Sequence, residues 1–173
     1  LSDTTPTLAA LGGQHLEYSY LSAVTGDAQY QERVDKIRKF LRDIEKRDNL
    51  YIKKVYIETG EWLTDTVTMA KSGGNFFSYL VKSYQQSGGD DVEALEMYKS
   101  ALDAMDSIGM FETSGSGLVY ARSYHAEHGQ RFGEYMSSDS CYLGAMLAQG
   151  GEELRQAMKK MKMKNVKMAK AEL

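Results

Sequence analysis

The sequence predicts an all-α fold of stacked antiparallel helical hairpins with two short strand regions. Three observations carry this. Only one proline occurs in 173 residues. Apolar residues recur at three- and four-residue steps in stretches that end at glycine-bearing turns, which is helical spacing with helix-stop chemistry. The order helix, turn, helix, short strand then recurs after roughly 70 residues, as in arrays of stacked hairpins.

The first helix is predicted over 5–24, with Leu8, Leu11, His15, Tyr18 and Leu21 in its stripe. Gly12-Gly13 inside it costs about 1 kcal/mol per residue relative to Ala, which implies close packing or a kink. Thr25-Gly26-Asp27 reads as a stop followed by a cap, since Gly suits the residue after a helix and Asp the N-cap. A second helix follows over 28–46, with Val34, Ile37, Phe40, Leu41 and Ile44 inward and a charged outer face. Residues 50–59 change to an alternating, β-branched and aromatic pattern, which predicts a strand ending at Thr59-Gly60. A third helix over 75–86 is aromatic and inward-facing through Phe76, Phe77, Leu80, Val81 and Tyr84. A fourth runs from a cap at Asp90 or Asp91 to Ile108, a second strand spans 117–124, and a fifth helix spans 140–149. From Gly151 the chain becomes a basic tail, with Met158, Met161, Met163 and Met168 among six lysines. High helix propensity and a weak stripe predict a separate helical segment over 151–173.

Composition excludes several classes. Twenty-one basic against 24 acidic residues leave a charge of −3, which offers no field for nucleic acid. No apolar run approaches the ~20 residues of a membrane span, and the start lacks a signal-peptide pattern. The chain opens on Leu1, as a mature product or an excised fragment does. One Cys and three His make neither a disulfide framework nor a structural zinc site. His125-Ala126-Glu127-His128 has metal-ligating residue types, but its spacing and the lack of a third ligand favour a solvated polar loop. The paired glycines match no phosphate-binding loop, and no G-x-S-x-G elbow is present. Cys141 is expected on a buried face and inert. Tyr51, Tyr56, Trp62, Phe76, Phe77 and Tyr79 could stack on sugars, but aromatic residues so spaced usually form core.

Five segments together resemble one family. Leu16 to Asp27, LEYSYLSAVTGD, resembles the LEFxYLSxLTGD hairpin of class I α-1,2-mannosidases, glycoside hydrolase family 47. Glu58 to Trp62 resembles its ETGxW turn, Phe76 to Tyr84 its DSFYEYLIKSW helix, Gly117 to Tyr120 its GLTY strand, and Cys141 to Gly150 its CFxGGMxALG helix. The agreement covers about residues 8–150, and after Gly151 the chain no longer follows the family. The resemblance implies part of an (α/α)7 barrel over 1–150, with the basic tail over 151–173 appended. Helix faces exposed by a partial barrel, including the aromatic face of 75–84, imply self-association.

The resemblance also implies a chemistry: calcium-dependent, inverting hydrolysis of α-1,2-linked mannose on high-mannose N-glycans, in the endoplasmic reticulum or Golgi. Inversion needs two carboxyl groups roughly 6.5–9.5 Å apart. The alignment puts Gly74 where the family has a catalytic Asp, and the other acids and the calcium-binding Thr fall outside this chain. Ser78 stands at a substrate-contacting Glu, Ser72 at an Arg, Ala10 at a Glu, and Ser137 and Ser138 at a pair ending in His. Cys141 matches a cysteine that pairs with a later one absent here. No catalytic residue, metal ligand or cofactor is therefore expected in this chain. Tyr18, Trp62, Phe76 and Tyr79 are the residues expected to line a mannose-shaped groove. The implied function is that of a mannosidase-family member, itself inactive. The alternative is a non-catalytic high-mannose-binding or glycoprotein quality-control module.

Overall fold

The computed structural model describes residues 5–70, 72–133 and 136–171. The last residues of the predicted tail, Glu172 and Leu173, lie outside the described residues, as do the side chains of 163–171. The fold is mostly helical with short strands, as expected.

The predicted first helix is two helices, α1 (Leu8–Gly13) and α2 (His15–Thr25), separated at Gln14. Thr7 caps α1 by accepting from the Ala10 N–H at 3.2 Å. The glycine pair serves close packing: a Cβ on Gly13 would stand 2.8 Å from the Tyr79 ring, and one on Gly12 would overlap Phe76. Gly26 ends α2 in the left-handed conformation, φ 72°. Asp27 then accepts from the Gln29 N–H at 3.0 Å, opening α3 (Gln29–Asp43).

The predicted strand over 50–59 needs correction. Within it Val55–Tyr56 (β1) pairs with Glu61–Trp62 (β2) across the Thr59-Gly60 turn, and Lys54 adds a single bridge to Thr7. Leu50, Tyr51 and Ile52 are all buried, so both faces of the segment meet core and no half-buried alternation exists. Its backbone is held by a seam instead. The Leu8 N–H donates to the Lys53 carbonyl at 2.9 Å, the Lys53 N–H to Thr66 at 2.9 Å, and the Val55 N–H to Pro6 at 3.4 Å. Thr66–Val67 (β3) follows, a strand too short for the pattern to show.

α4 (Gly74–Gln86) is the central helix, in contact with α1, α2, α5 and α6. The expectation that its aromatic face lies bare is overturned: Phe76, Phe77, Leu80, Val81 and Tyr84 are all buried. Phe76 and Phe77 pack edge to face at 5.3 Å, and Tyr51 sits 5.2 Å from Phe76. α5 (Val92–Ser107) is capped by Asp91, which accepts from the Ala94 N–H at 3.2 Å.

The predicted strand over 117–124 is also divided. Phe111–Thr113 (β4) pairs with Val119–Ala121 (β5), whereas Ser123–His125 (β6) joins a sheet of order β3-β6-β7 with Gln130–Phe132 (β7). The Arg122 N–H carries the β4–β5 register one step further, donating to the Met110 carbonyl at 2.9 Å, before the chain passes to β6.

The last helix, α6 (Leu143–Ala171), starts later than predicted and does not stop at Gln149. Gly150-Gly151 lies inside it, and Gly150 makes room for α5: a Cβ there would overlap the Tyr98 ring, whereas Gly151 faces open space. Leu143 and Met146, with partly buried Leu147, Leu154 and Ala157, carry the packing stripe past the glycines. Cys141 precedes this helix, so it is exposed and not on the expected buried face.

Candidate functional site

The N-terminus of α4 holds Gly74, the position at which the resemblance expects an acidic group. Gly73 and Gly74 both donate their N–H to the Ala70 carbonyl, at 3.0 and 2.7 Å, which folds the chain tightly before the helix. Gly74 is buried. A Cβ there would come closer than 3.0 Å to both the Tyr142 hydroxyl and the Met69 carbonyl oxygen, nearer than real Cβ atoms come. Tyr142 reaches in from the segment before α6 and donates to Met69 at 3.0 Å. Burial pushes its hydroxyl up to about 12, so at neutral pH it keeps the proton that this bond uses. The space a carboxylate would need is therefore filled by a neutral donor–acceptor pair.

Beside it opens a cleft of about 520 Å³, lined by Thr7, Ala9, Ala10, Ala70, Ser72, Asn75 and Asp139. Its size is that of a small-molecule site. The structure thus brings together two positions the sequence reading singled out, Ala10 and Ser72. Ser137 stands nearby as the cap of the Ser138–Ser140 turn. Among the described lining residues Asp139 is the one carboxylate, and it is exposed. The remaining polar groups are hydroxyls and one amide, which can bond sugar hydroxyls but not shuttle protons at neutral pH. Calcium takes six to eight oxygen ligands, usually with several carboxylates. This lining does not fit it.

The four aromatic residues expected around a sugar are not gathered at this cleft. Phe76, at 2 % exposure, is core and out of reach of a sugar. Tyr79 lies against Gly13. Both border a gap of about 10 Å³ between α1, α3 and α4, room for a single water. Tyr18 meets Tyr30 edge on at 6.2 Å. Trp62 donates its indole N–H to the Glu45 carbonyl at 2.8 Å.

A second polar constellation escapes sequence reading because its members are scattered along the chain. His15, Asp35, Arg38, Ser83 and Asp91 meet in a cleft of about 550 Å³ between α2, α3, α4 and the start of α5. Arg38, 7 % exposed, pairs with Asp91 and donates to the Ser83 hydroxyl at 2.8 Å. Ser83 donates to Asp91 at 2.6 Å. His15 stands 3.3 Å from Ser83 through Nδ1 and 3.3 Å from Asp35 through Nε2. The residue types are those of a nucleophilic triad, but the Ser83 proton is committed to Asp91 rather than to the imidazole. The network ties helices together.

Its titration is directional. Burial, with the Arg38 charge behind it, lowers His15 below its ordinary 6.5 against the pull of Asp35 and Asp91. The unfolded chain then takes up that proton first, so stability is whole above about pH 6.5 and declines as pH falls toward the folded value. Burial raises Asp91, but bonds from Ser83 and Arg38 and the Arg38 charge outweigh it, leaving Asp91 below its ordinary 3.8. Its contribution is lost in a more acidic window, as pH falls through the folded value. The melting temperature is expected to drop between about pH 7 and pH 5, and His15→Gln to flatten that interval while keeping the steeper acid loss. A wild-type melting temperature level from about pH 7 to pH 5 contradicts this assignment.

A stack of antiparallel helical hairpins with short strands at their ends is the architecture of an α/α barrel, here in part. The chain belongs to glycosyl hydrolase family 47, whose model matches residues 2–172. That match runs on through the lysine-rich tail. The chain is 34% identical over 149 residues to mannosyl-oligosaccharide 1,2-alpha-mannosidase IC of Homo sapiens, covering 86% of this chain and 23% of that protein. It is 36% identical over 152 residues to mannosyl-oligosaccharide alpha-1,2-mannosidase IA of Spodoptera frugiperda, covering 87% and 22%. In fold it matches the alpha-1,2-mannosidase from Trichoderma reesei with a TM-score of 0.79 at 17% identity, covering 91% of this chain and 33% of that one. The chain thus spans less than a quarter of the length of these two curated relatives.

Proposed function

We propose that this chain is a section of an α-1,2-mannosidase-type scaffold that handles high-mannose N-glycans in the secretory pathway, and that it does not itself hydrolyse mannosides. The observation that supports this reading is the filled space at Gly74, where Tyr142 and the Met69 carbonyl exclude a side chain. Inverting hydrolysis requires an acid and a base held on opposite sides of the scissile bond, and Asp139 alone cannot play both parts. No calcium is proposed for this chain. Incubated with α-1,2-mannobiose at near-neutral pH, with or without calcium, the purified chain is expected to release no mannose. Calcium-dependent, saturable release that follows the protein peak on a column refutes the reading.

A second reading has its own support in the cleft beside α4. Ser72, Asn75, Thr7 and Asp139 offer neutral and acidic partners for sugar hydroxyls without catalytic pairing, as a lectin-like glycan or quality-control module would. Binding of high-mannose glycans on an array, weakened by Asn75→Ala, separates this reading from a purely structural one. Self-association belongs to the same proposal: Tyr20 and Val24 on α2 are 63% and 58% exposed, and sedimentation reports whether copies join there.

A further inference from the structure

The His125–His128 segment lacks a third ligand in its own sequence, and the fold supplies one. β3 and β6 pair with Thr66 opposite His125. Asp65, just before β3, is thereby fixed at the mouth of the β6–β7 turn, and its carbonyl accepts the Ala126 N–H at 2.8 Å. The turn closes with the Gly129 N–H on the His125 carbonyl at 2.9 Å. Ligand atoms of Asp65, Glu127 and His128 all lie within 4.8 Å of one another.

We propose that Asp65, Glu127 and His128 form a binding site for one divalent transition-metal ion of the zinc class. The geometry sets the requirement. Bonds of about 2.0–2.1 Å to nitrogen and oxygen in a tetrahedron put neighbouring ligand atoms roughly 3.3–3.4 Å apart. The three side chains need to draw in by about 1.5 Å at most. Glu127 and His128 are exposed on a turn, so rotation about their own side-chain bonds accomplishes this. Asp65 is the anchored member. His125 Nδ1 sits 2.9 and 3.0 Å from its two oxygens, and the His125 ring stacks on Phe132 at 4.0 Å with 23° between planes. An imidazole locked by an aromatic neighbour and bonded to a ligating carboxylate is the outer partner that orients metal ligands.

The donor set chooses the ion. One imidazole nitrogen and two carboxylates suit zinc or cobalt with a water in the fourth position. Calcium wants six to eight oxygens and gains little from an imidazole. The site is built on the small β3-β6-β7 sheet, from residues that do not line the α4 cleft, and it stands whether or not the chain binds glycans.

The test uses the full chain, stripped with chelator and titrated with Co²⁺ while the visible d–d bands are recorded, followed by competition with Zn²⁺. One saturable equivalent of cobalt displaced by zinc is expected. His128→Ala and Glu127→Gln should each weaken binding tenfold or more, and both positions are exposed, so neither change threatens folding. His125→Phe keeps a flat ring on Phe132 but removes the bond to Asp65, and should weaken binding by about tenfold. The proposal is overturned by absence of saturable binding, by affinity unchanged in His128→Ala, by loss of binding in Cys141→Ser, or by calcium displacing cobalt at concentrations comparable to zinc.

Discussion

Gly74→Asp is expected to destabilise the chain by about 4 kcal/mol or more, the range reserved for overpacking and unpaired buried charge, and to restore no hydrolysis. The new Cβ would fall on the Tyr142 hydroxyl and on the Met69 carbonyl oxygen. A tyrosine can swing its far end away. A carbonyl belongs to the backbone that forms the turn into α4, so moving it costs the Gly73 and Gly74 hydrogen bonds to Ala70. The carboxylate would also arrive beside the Met69 oxygen, a like partial charge. The double variant Gly74→Asp with Tyr142→Phe should therefore recover only part of the loss. Urea melts of the three proteins measure this. A Gly74→Asp protein as stable as wild type would mean that the α4 start yields easily and that the filled space is no barrier to a carboxylate.

Arg38→Ala is expected to cost roughly 3–5 kcal/mol, as does breaking a buried ion pair from one side. Arg38 is buried on α3 and joins α4 through Ser83 and the α5 cap through Asp91. Its removal takes the charge partner from half-buried Asp91, which keeps only the neutral donors Ser83 and the Ala94 N–H. Arg38→Lys should recover part of the loss, because an ammonium is a point charge and cannot fork between two acceptors as a guanidinium does. A loss below about 1 kcal/mol, the ceiling for ordinary exposed pairs, would show that solvent already screens the network.

The helices were legible because each carries enough turns for its period to repeat. α3, α4 and α5 have stripes such as Val34-Ile37-Leu41 and Phe77-Leu80-Val81-Tyr84, with turn residues at their ends. The strands were legible only as regions: β1 falls within 50–59, and β5 with most of β6 within 117–124, but ladders of two or three residues are shorter than the pattern that fixes their ends. Residues 50–52 misled through composition: β-branched and aromatic types sit there because the segment is buried on both sides, not because it pairs. Gly150-Gly151 misled in the other direction. Glycine reads as a stop, but at Gly150 it answers to the ring of Tyr98 on another helix, a contact no local window contains. At the candidate site, motif alignment pointed to Gly74 as the position where the family resemblance expects an acid. It could not show that the Tyr142 hydroxyl occupies the space beside Gly74, or that Asp65 stands next to Glu127 and His128, because both depend on tertiary approach.

The backbone seam through Leu8, Lys53 and Thr66 bears on which substitutions the chain can absorb. It is made of N–H and carbonyl groups alone, continuing from Asp65 to Ala126, so the side chains along it are chemically idle in the linkage. Residues there can change in charge, size and polarity while the linkage persists, as far as burial permits. The exception is proline at 8, 53, 55 or 126, where a donor would vanish. Mutational tolerance along these edges is thus set by one atom, the amide hydrogen, in a scaffold whose helices are held instead by their side chains.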